Sequence, residues 1–261
     1  MPALRSRRAV AAAALAIGGA LAVAVGGSFV IRDSQAGIER AVAAGVHVIG
    51  YSVDHRPIVA ILRSSGRPDR SMLVVGSIAG DEPGGTSVTE TLASLPAVSG
   101  VALWLVPGVN PDGAVVGSRV NANGVDLNRN FPFRWHRVSD SGSRYYPGGH
   151  PASEPETRAM AAFISDLRPS LTIWLHQPYG LIDDSQGPYW AEQVLSRATG
   201  LPLRRLTDYP GSAIGWEDHL VPGSAFDVEL PTQPLGSAAI HRYVTAIRVV
   251  ARTLATRPIR R

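Results

Sequence analysis

Apolar positions gather into short β-rich runs at Val46–Tyr51, Ile58–Leu62, Met72–Ile78, Val101–Val106, Leu171–Leu175 and Ala225–Leu230. Between or after several of them lie stretches of helical character, at Gly85–Leu95, Glu154–Leu167, Pro188–Ala198 and Ser237–Leu254. Strands alternating with helices predict an α/β sheet covered on both faces. One long interruption, Pro107–Pro151, is rich in Gly, Asn, Arg and aromatic residues. A loop that long in a compact domain is usually functional or disordered, and these side chains favour function.

The first 31 residues follow a different pattern. Arg5, Arg7 and Arg8 precede an uncharged stretch from Ala9 to Ile31 rich in Ala, Val and Leu. A basic end followed by an apolar segment predicts a signal peptide, and the segment is also long enough for a membrane anchor. Either form puts the following domain outside the cytoplasm, whether secreted, wall-associated or anchored to the outer membrane face. A buried first helix is the alternative. The expected organisation is an export segment or anchor over 1–33, one domain over 34–256, and a basic tail over 257–261.

Charge and composition narrow the classes. All 25 basic residues are arginine, against 21 acidic residues. Six arginines (5, 7, 8, 257, 260 and 261) lie in the tails, which leaves 19 basic against 21 acidic residues, a body near −2. No basic patch with interleaved aromatics is present, so no nucleic-acid partner is expected. The absence of cysteine excludes disulfides, thiol catalysis and cysteine metal sites.

Four segments carry candidate chemistry. In open α/β sheets, sites form at the carboxyl ends of strands, and three of the four follow or end predicted strands. The first, Gly76–Pro83, leaves a strand and enters a helix; taken alone, Glu82 reads as a helix-start acid. The second, Arg119–Pro132, gathers two arginines and several carboxamides, and arginine is well shaped to hold a carboxylate by two parallel hydrogen bonds. It reads equally as a solvated turn. The third ends an apolar strand on His176, alone most simply a structural histidine. The fourth places Glu229 among strand residues. There it is either a strand-end surface acid or a buried carboxylate suited to proton transfer.

Together the segments resemble the M14 zinc carboxypeptidases, in family order from about Gly50 to Pro231. The resemblance is carried by Ser52-Val53-Asp54-His55-Arg56-Pro57-Ile58, Asn110-Pro111-Asp112-Gly113 and Gly124-Val125-Asp126-Leu127-Asn128-Arg129-Asn130-Phe131-Pro132. Tyr146-Pro147-Gly148, Ser153-Glu154-Pro155-Glu156-Thr157-Arg158, and the spacing of Trp216 to Glu229 complete it. Within the family the chain is most similar to the bacterial branch containing the murein peptide amidases. The resemblance implies a single α/β domain with a mixed, mostly parallel sheet flanked by helices. It implies Glu82 and His176 as zinc ligands, Glu229 as general base, and Arg119 as the residue that polarises the scissile carbonyl. It further implies Asn128 and Arg129 as the clamp on the substrate's terminal carboxylate, Tyr209 as a covering residue, and Ile214 near the specificity pocket. The implied partner is a peptide with a free carboxylate, such as a murein peptide.

The chain departs from the family at Ala79, where the first zinc-binding histidine is expected. Alanine has no donor atom, so zinc is expected to be weakly held or absent. The choice then lies between a zinc carboxypeptidase and a protein that binds peptide C-termini without catalysis. His150, in the long loop, is a candidate replacement donor.

Overall fold

The computed structural model describes residues 23–25, 28–30, 45–184, 187–207, 209–232 and 234–258. Near the N-terminus, β1 (Val23–Val25) and β2 (Ser28–Val30) pair antiparallel. The rest of the export segment expected over 1–33 lies outside the described residues. Among the described residues, no helix is long and apolar enough to cross a membrane.

Eight strands form the central sheet: β3 (Val46–Tyr51), β4 (Pro57–Arg63), β5 (Ser71–Val75), β6 (Ala102–Val106), β7 (Leu171–His176), β8 (Tyr179–Asp183), β9 (Leu203–Arg204) and β10 (Ala225–Pro231). Their order is β3-β4-β6-β5-β7-β10-β8-β9. The inner pairs β6/β5, β5/β7 and β7/β10 are parallel, as is β8/β9, whereas β3/β4, β4/β6 and β10/β8 are antiparallel. This is the mixed, mostly parallel sheet expected from the resemblance. β7 is buried along its whole length, which is why it reads as a continuous apolar run.

Among the described residues, six helices accompany the sheet: α1 (Gly84–Ala93), α2 (Pro111–Val116), α3 (Pro155–Leu167), α4 (Tyr189–Thr199), α5 (Ala213–Leu220) and α6 (Ser237–Thr256). α6 packs on both α1 and α4, whereas α3 lies against β3, with Phe163 edge-on to Trp104. The sheet interior is filled by Met72, Leu73, Leu103, Leu105, Ile173 and Phe226, all nearly inaccessible.

Several boundaries differ from the sequence expectation. β5 stops at Val75 rather than Ile78, its last contact with β6 being the Gly76 N–H on the Val106 carbonyl (2.8 Å). The stretch 107–151 is not one irregular loop. It holds α2, capped by Asn110 accepting from Gly113 N, and a 3₁₀ turn at Leu127–Arg129. β8, β9 and α5 were not expected from the pattern.

Behind the site, Trp174 Nε1 donates to Glu217 Oε2 (2.8 Å), and Thr172 Oγ1 donates to Oε1 (2.5 Å). Glu217 is fully buried, and burial pushes its carboxyl up to about 7 against those two hydrogen bonds. The folded state therefore binds this proton more tightly than the unfolded chain. Its contribution is complete below the ordinary carboxyl range and is lost as pH rises toward about 7. In Glu217→Gln both contacts can persist without the charge, since the amide can donate to Thr172 and accept from Trp174. The variant is expected to gain roughly 2–3 kcal/mol over wild type on going from pH 4.5 to 8. Equal pH dependence of the two melting curves would refute this.

Candidate functional site

Loops and strand ends meet at β5, which the chain leaves for β6 on one side before crossing to β7 on the other, the kind of position at which open sheets form crevices. A cavity of about 480 Å³ opens there. Glu82, Arg119, Asn128, Arg129, His176, Tyr209, Ile214 and Glu229 all line it. Each candidate residue therefore reaches one place, although they are spread over 148 positions of sequence (82 to 229).

The local folding explains the convergence. The parallel register of β7 and β10 pairs His176 with Glu229 and Trp174 with Asp227. Because strand side chains alternate, these four share one face. Glu82 sits at the end of the loop after β5, which passes so close to α2 that a Cβ on Gly80 would lie 2.1 Å from the Gly113 carbonyl carbon. Only glycine fits there. Similarly, Gly211 (φ +71°) lies against the Arg129 carbonyl and holds the clamp loop to the 209–214 segment.

The Ser153–Glu156 signature braces the clamp loop. Asn121 Nδ2 donates to Glu154 Oε2 (2.8 Å) and Glu156 Oε2 (3.1 Å), Asn123 Nδ2 donates to Glu154 Oε2 (2.8 Å), and Asn130 Nδ2 donates to the Pro147 carbonyl (2.8 Å) and Ser153 Oγ (2.9 Å). Asp126 then caps the 3₁₀ turn by accepting from Asn128 N (3.1 Å).

Within that frame, Arg129 is buried, and burial lowers its pKa from the ordinary guanidinium value. Its Nη1 donates to the Asn128 carbonyl (2.6 Å), and its guanidinium lies 4.2 Å from the centre of the Tyr209 ring. Asn128 Oδ1 accepts from Ala213 N (2.9 Å) at the start of α5, leaving its amide NH₂ to donate to a ligand. Tyr145 stands over Arg119 and Arg129 at 5.5 and 5.9 Å.

The remaining charges are tied to one another. Arg119 donates through Nη1 to Glu82 Oε1 (3.0 Å) and through Nε to Asp126 Oδ2 (2.9 Å). The other oxygen of Glu82 accepts from His176 Nδ1 (3.1 Å) and from the Gln177 N–H (3.3 Å). Burial opposes ionisation of Glu82, but the His176 contact, with Arg119 and Gln177, holds it below the ordinary carboxyl range. Burial works against a charged His176 too. Asp227, Glu82 and Glu229 outweigh it and carry His176 up to about 9. Glu229 is raised, chiefly by burial.

A scan against protein-family models matches the zinc carboxypeptidase family, peptidase M14, over residues 40–182. This chain belongs to that family. Murein peptide amidase A of Escherichia coli K12 is 38% identical over 121 residues, covering 41% of this chain and 50% of that protein. The chain thus spans about half the length of that curated relative. Among solved structures, the murein-tripeptide amidase MpaA of E. coli O157 shares 28% identity with a TM-score of 0.65, over 83% of this chain and 94% of that one. Carboxypeptidase A from Helicoverpa armigera has a TM-score of 0.69 at 19% identity, covering 85% of this chain and 73% of the other, a likeness of fold alone.

M14 members are zinc carboxypeptidases by family description. A catalytic zinc ordinarily takes three protein ligands and keeps an open position. The donors here do not fit that set. Ala79 is buried and offers only a methyl group where the resemblance expects a histidine. Glu82 has both oxygens engaged by Arg119, His176 and Gln177, and His176 Nδ1 points at Glu82. His150 does not replace the missing ligand. It is exposed, its Nδ1 contacts the Pro151 carbonyl (3.0 Å), and it does not line the cavity. Among the described residues, no group of three or more His, Cys, Asp or Glu is arranged to hold a metal ion.

Sequence reasoning missed Tyr145, Asp183 and Asp227 as cavity-lining residues. For Asp227 a signal existed: two positions before Glu229 on one strand, it had to share that face. Tyr145, just before the Tyr146-Pro147-Gly148 signature, had none.

Proposed function

We propose that this chain holds peptides by their free C-terminal carboxylate and does not carry out the family's zinc-dependent hydrolysis. The observation that supports this is the combination at one cavity of a buried, anion-ready Arg129 with a Glu82–His176–Arg119 cluster closed on itself beside Ala79. A guanidinium and a carboxamide facing one cavity suit a planar carboxylate, which accepts several charge-assisted hydrogen bonds. Tyr209, stacked on Arg129 and half exposed, would cover the bound end. The pairing of Arg129 with Asn128 at the cavity supports peptide termini as the ligand class. Similarity to murein peptide amidases favours peptidoglycan stem peptides among them. The basic-then-apolar N-terminus favours a protein that works outside the cytoplasm, where such peptides are met.

A second function, hydrolysis of the same peptides with Glu229 as general base, is favoured by the retention of Glu229 beside His176. The two are separated by incubating the protein with a tripeptide ending in a free carboxylate and excess zinc, then measuring bound peptide and products by mass spectrometry. The proposal expects the peptide recovered intact; catalytic turnover would overturn it.

A further inference from the structure

Charge is divided unevenly along the chain. Residues 33–229 carry 21 acids against 15 arginines, whereas residues 230–261 carry six arginines and no Asp or Glu. Four of those six, Arg242, Arg248, Arg252 and Arg257, lie on α6 or at its C-cap. One face of this helix packs inward through Tyr243, Val244, Ile247, Val250, Ala251 and Leu254. At 3.6 residues per turn, positions 242, 245, 248, 249 and 252 form the opposite stripe. There Arg242, Thr245 and Arg252 are exposed and Arg248 is half-buried. Elsewhere Arg56, Arg119, Arg137 and Arg144 form ion pairs; among the described residues the α6 arginines form none. The helices packed on α6 bring Glu90, half-buried on α1, and Glu192, buried on α4, and neither pairs with it. Arg248 Nη1 donates to the Pro96 carbonyl (2.7 Å), which leaves its charge unneutralised. Arg252 stands four residues on, a spacing at which like charges repel on a helix. Burial, and then the charge of Arg252, lower the pKa of Arg248 from its ordinary value. Such a stripe is disfavoured unless anions gather against it.

The stripe also has a definite place in the fold. Arg70, just before β5, donates to the carbonyls of Leu254 and Arg257, and so ties the end of α6 to the amino end of the sheet. The cavity lies beyond the carboxyl end of β5, and no described residue of α6 lines it. We propose that the outer face of α6 docks on an anionic phospholipid surface, with Arg242, Arg248, Arg252 and Arg257 meeting headgroup phosphates and the cavity turned away from it. The proposal does not depend on what the cavity holds. Clustered arginines beside an anionic membrane are each attracted to it, and a guanidinium can give a phosphate two parallel hydrogen bonds. A nucleic acid fits the stripe less well, because it exposes no aromatic ring for bases to stack on; Tyr243 is buried. The Arg5–Ile31 segment, read as an anchor, would hold the domain beside such a surface, and the basic face would then orient it.

The test mixes the full chain with vesicles of phosphatidylcholine alone, or of phosphatidylcholine with phosphatidylglycerol. The reaction of each arginine with phenylglyoxal is then followed by peptide mass spectrometry. Arg242 and Arg252 are expected to react about tenfold more slowly on the anionic vesicles than on the neutral ones, whereas Arg134, exposed just after the clamp loop, reacts alike on both. Raising salt from about 0.1 to about 1 M, which shortens the screening length from ~10 to ~3 Å, should remove the difference. Combining Arg242→Gln, Arg248→Gln and Arg252→Gln is expected to lower the preference for anionic vesicles by about 100-fold, about fivefold for each arginine. The reactivity pattern is read on unaltered protein. It therefore decides the question even if the variant does not fold or the N-terminal segment binds both kinds of vesicle. Equal reactivity of Arg242 and Arg252 on the two vesicles overturns the proposal. So does equal protection by a soluble polyphosphate, which would make the stripe a site for anionic polymers rather than for a membrane.

Discussion

Replacing Ala79 with histidine is expected to raise zinc affinity by at least about 10–100-fold. That range is what loss of a mere supporting contact costs, and a direct ligand contributes at least as much. The wild-type chain offers zinc two side chains at the family positions, and these contact each other (3.1 Å), with Arg119 on the second oxygen of Glu82. The loop carrying position 79 is fixed by Glu82 N donating to the Ala79 carbonyl (3.1 Å) and by Ser77 Oγ donating to the same oxygen (2.5 Å). An imidazole introduced there would stand three residues before Glu82, as the His-x-x-Glu arrangement of the resemblance requires. Binding must also separate Glu82 from His176, and the histidine must lose its Nδ1 proton, so affinity should fall as pH drops. Metal content after dialysis against micromolar zinc checks this. Ala79→His should retain about one zinc per chain and wild type much less. No gain in the variant would mean that position 79 does not face the ligand site.

Arg129→Ala should weaken binding of peptides with a free C-terminus by roughly 10–100-fold, as expected for loss of a charge-assisted, two-pronged contact in a partly enclosed site. The same peptides carrying a C-terminal amide should bind wild type and variant alike, since they offer no carboxylate to lose. Arg129 is buried, faces a cavity and stacks on Tyr209, so the site is prepared for an anion before one arrives. Asn128→Ala is a less direct probe, because Asn128 Oδ1 also holds the first N–H of α5. Calorimetry with the acid and amide forms of one peptide decides the matter. Equal loss of both forms, or loss of neither, would rule out the clamp.

The inner strands of the sheet were legible because parallel strands buried on both faces are largely apolar, as β5 is over Met72–Val75 and β7 is apart from Thr172 and His176. β8 was not, since Tyr179–Asp183 is a five-residue segment containing Gly180 and ending in an acid. Its place comes from pairing with β10. α5 was hidden for a related reason. It is eight residues long, contains Gly215, and owes its start to Ser212 Oγ accepting from Gly215 N and to Asn128 from the clamp loop. Those contacts are tertiary or end-specific, and they outweigh weak local propensity. At the site, residue types at strand ends suggested His176 and Glu229 as candidates, but only family order suggested roles for Arg119, Asn128 and Arg129. Ala79 is meaningful by comparison alone, because an alanine in isolation carries no chemical signal. What no pattern conveyed was the mutual satisfaction of Glu82, His176 and Arg119, which depends on distances across three separate segments.

The proposed function rests on the cavity holding a peptide's carboxylate without a metal. It is tested most directly by measuring the Kd of one free-carboxylate tripeptide for chelator-treated protein, before and after zinc is restored. Saturable binding by the chelator-treated protein is expected, with the same Kd, within about twofold, after zinc addition. Binding that vanishes on chelation and returns with zinc would contradict it.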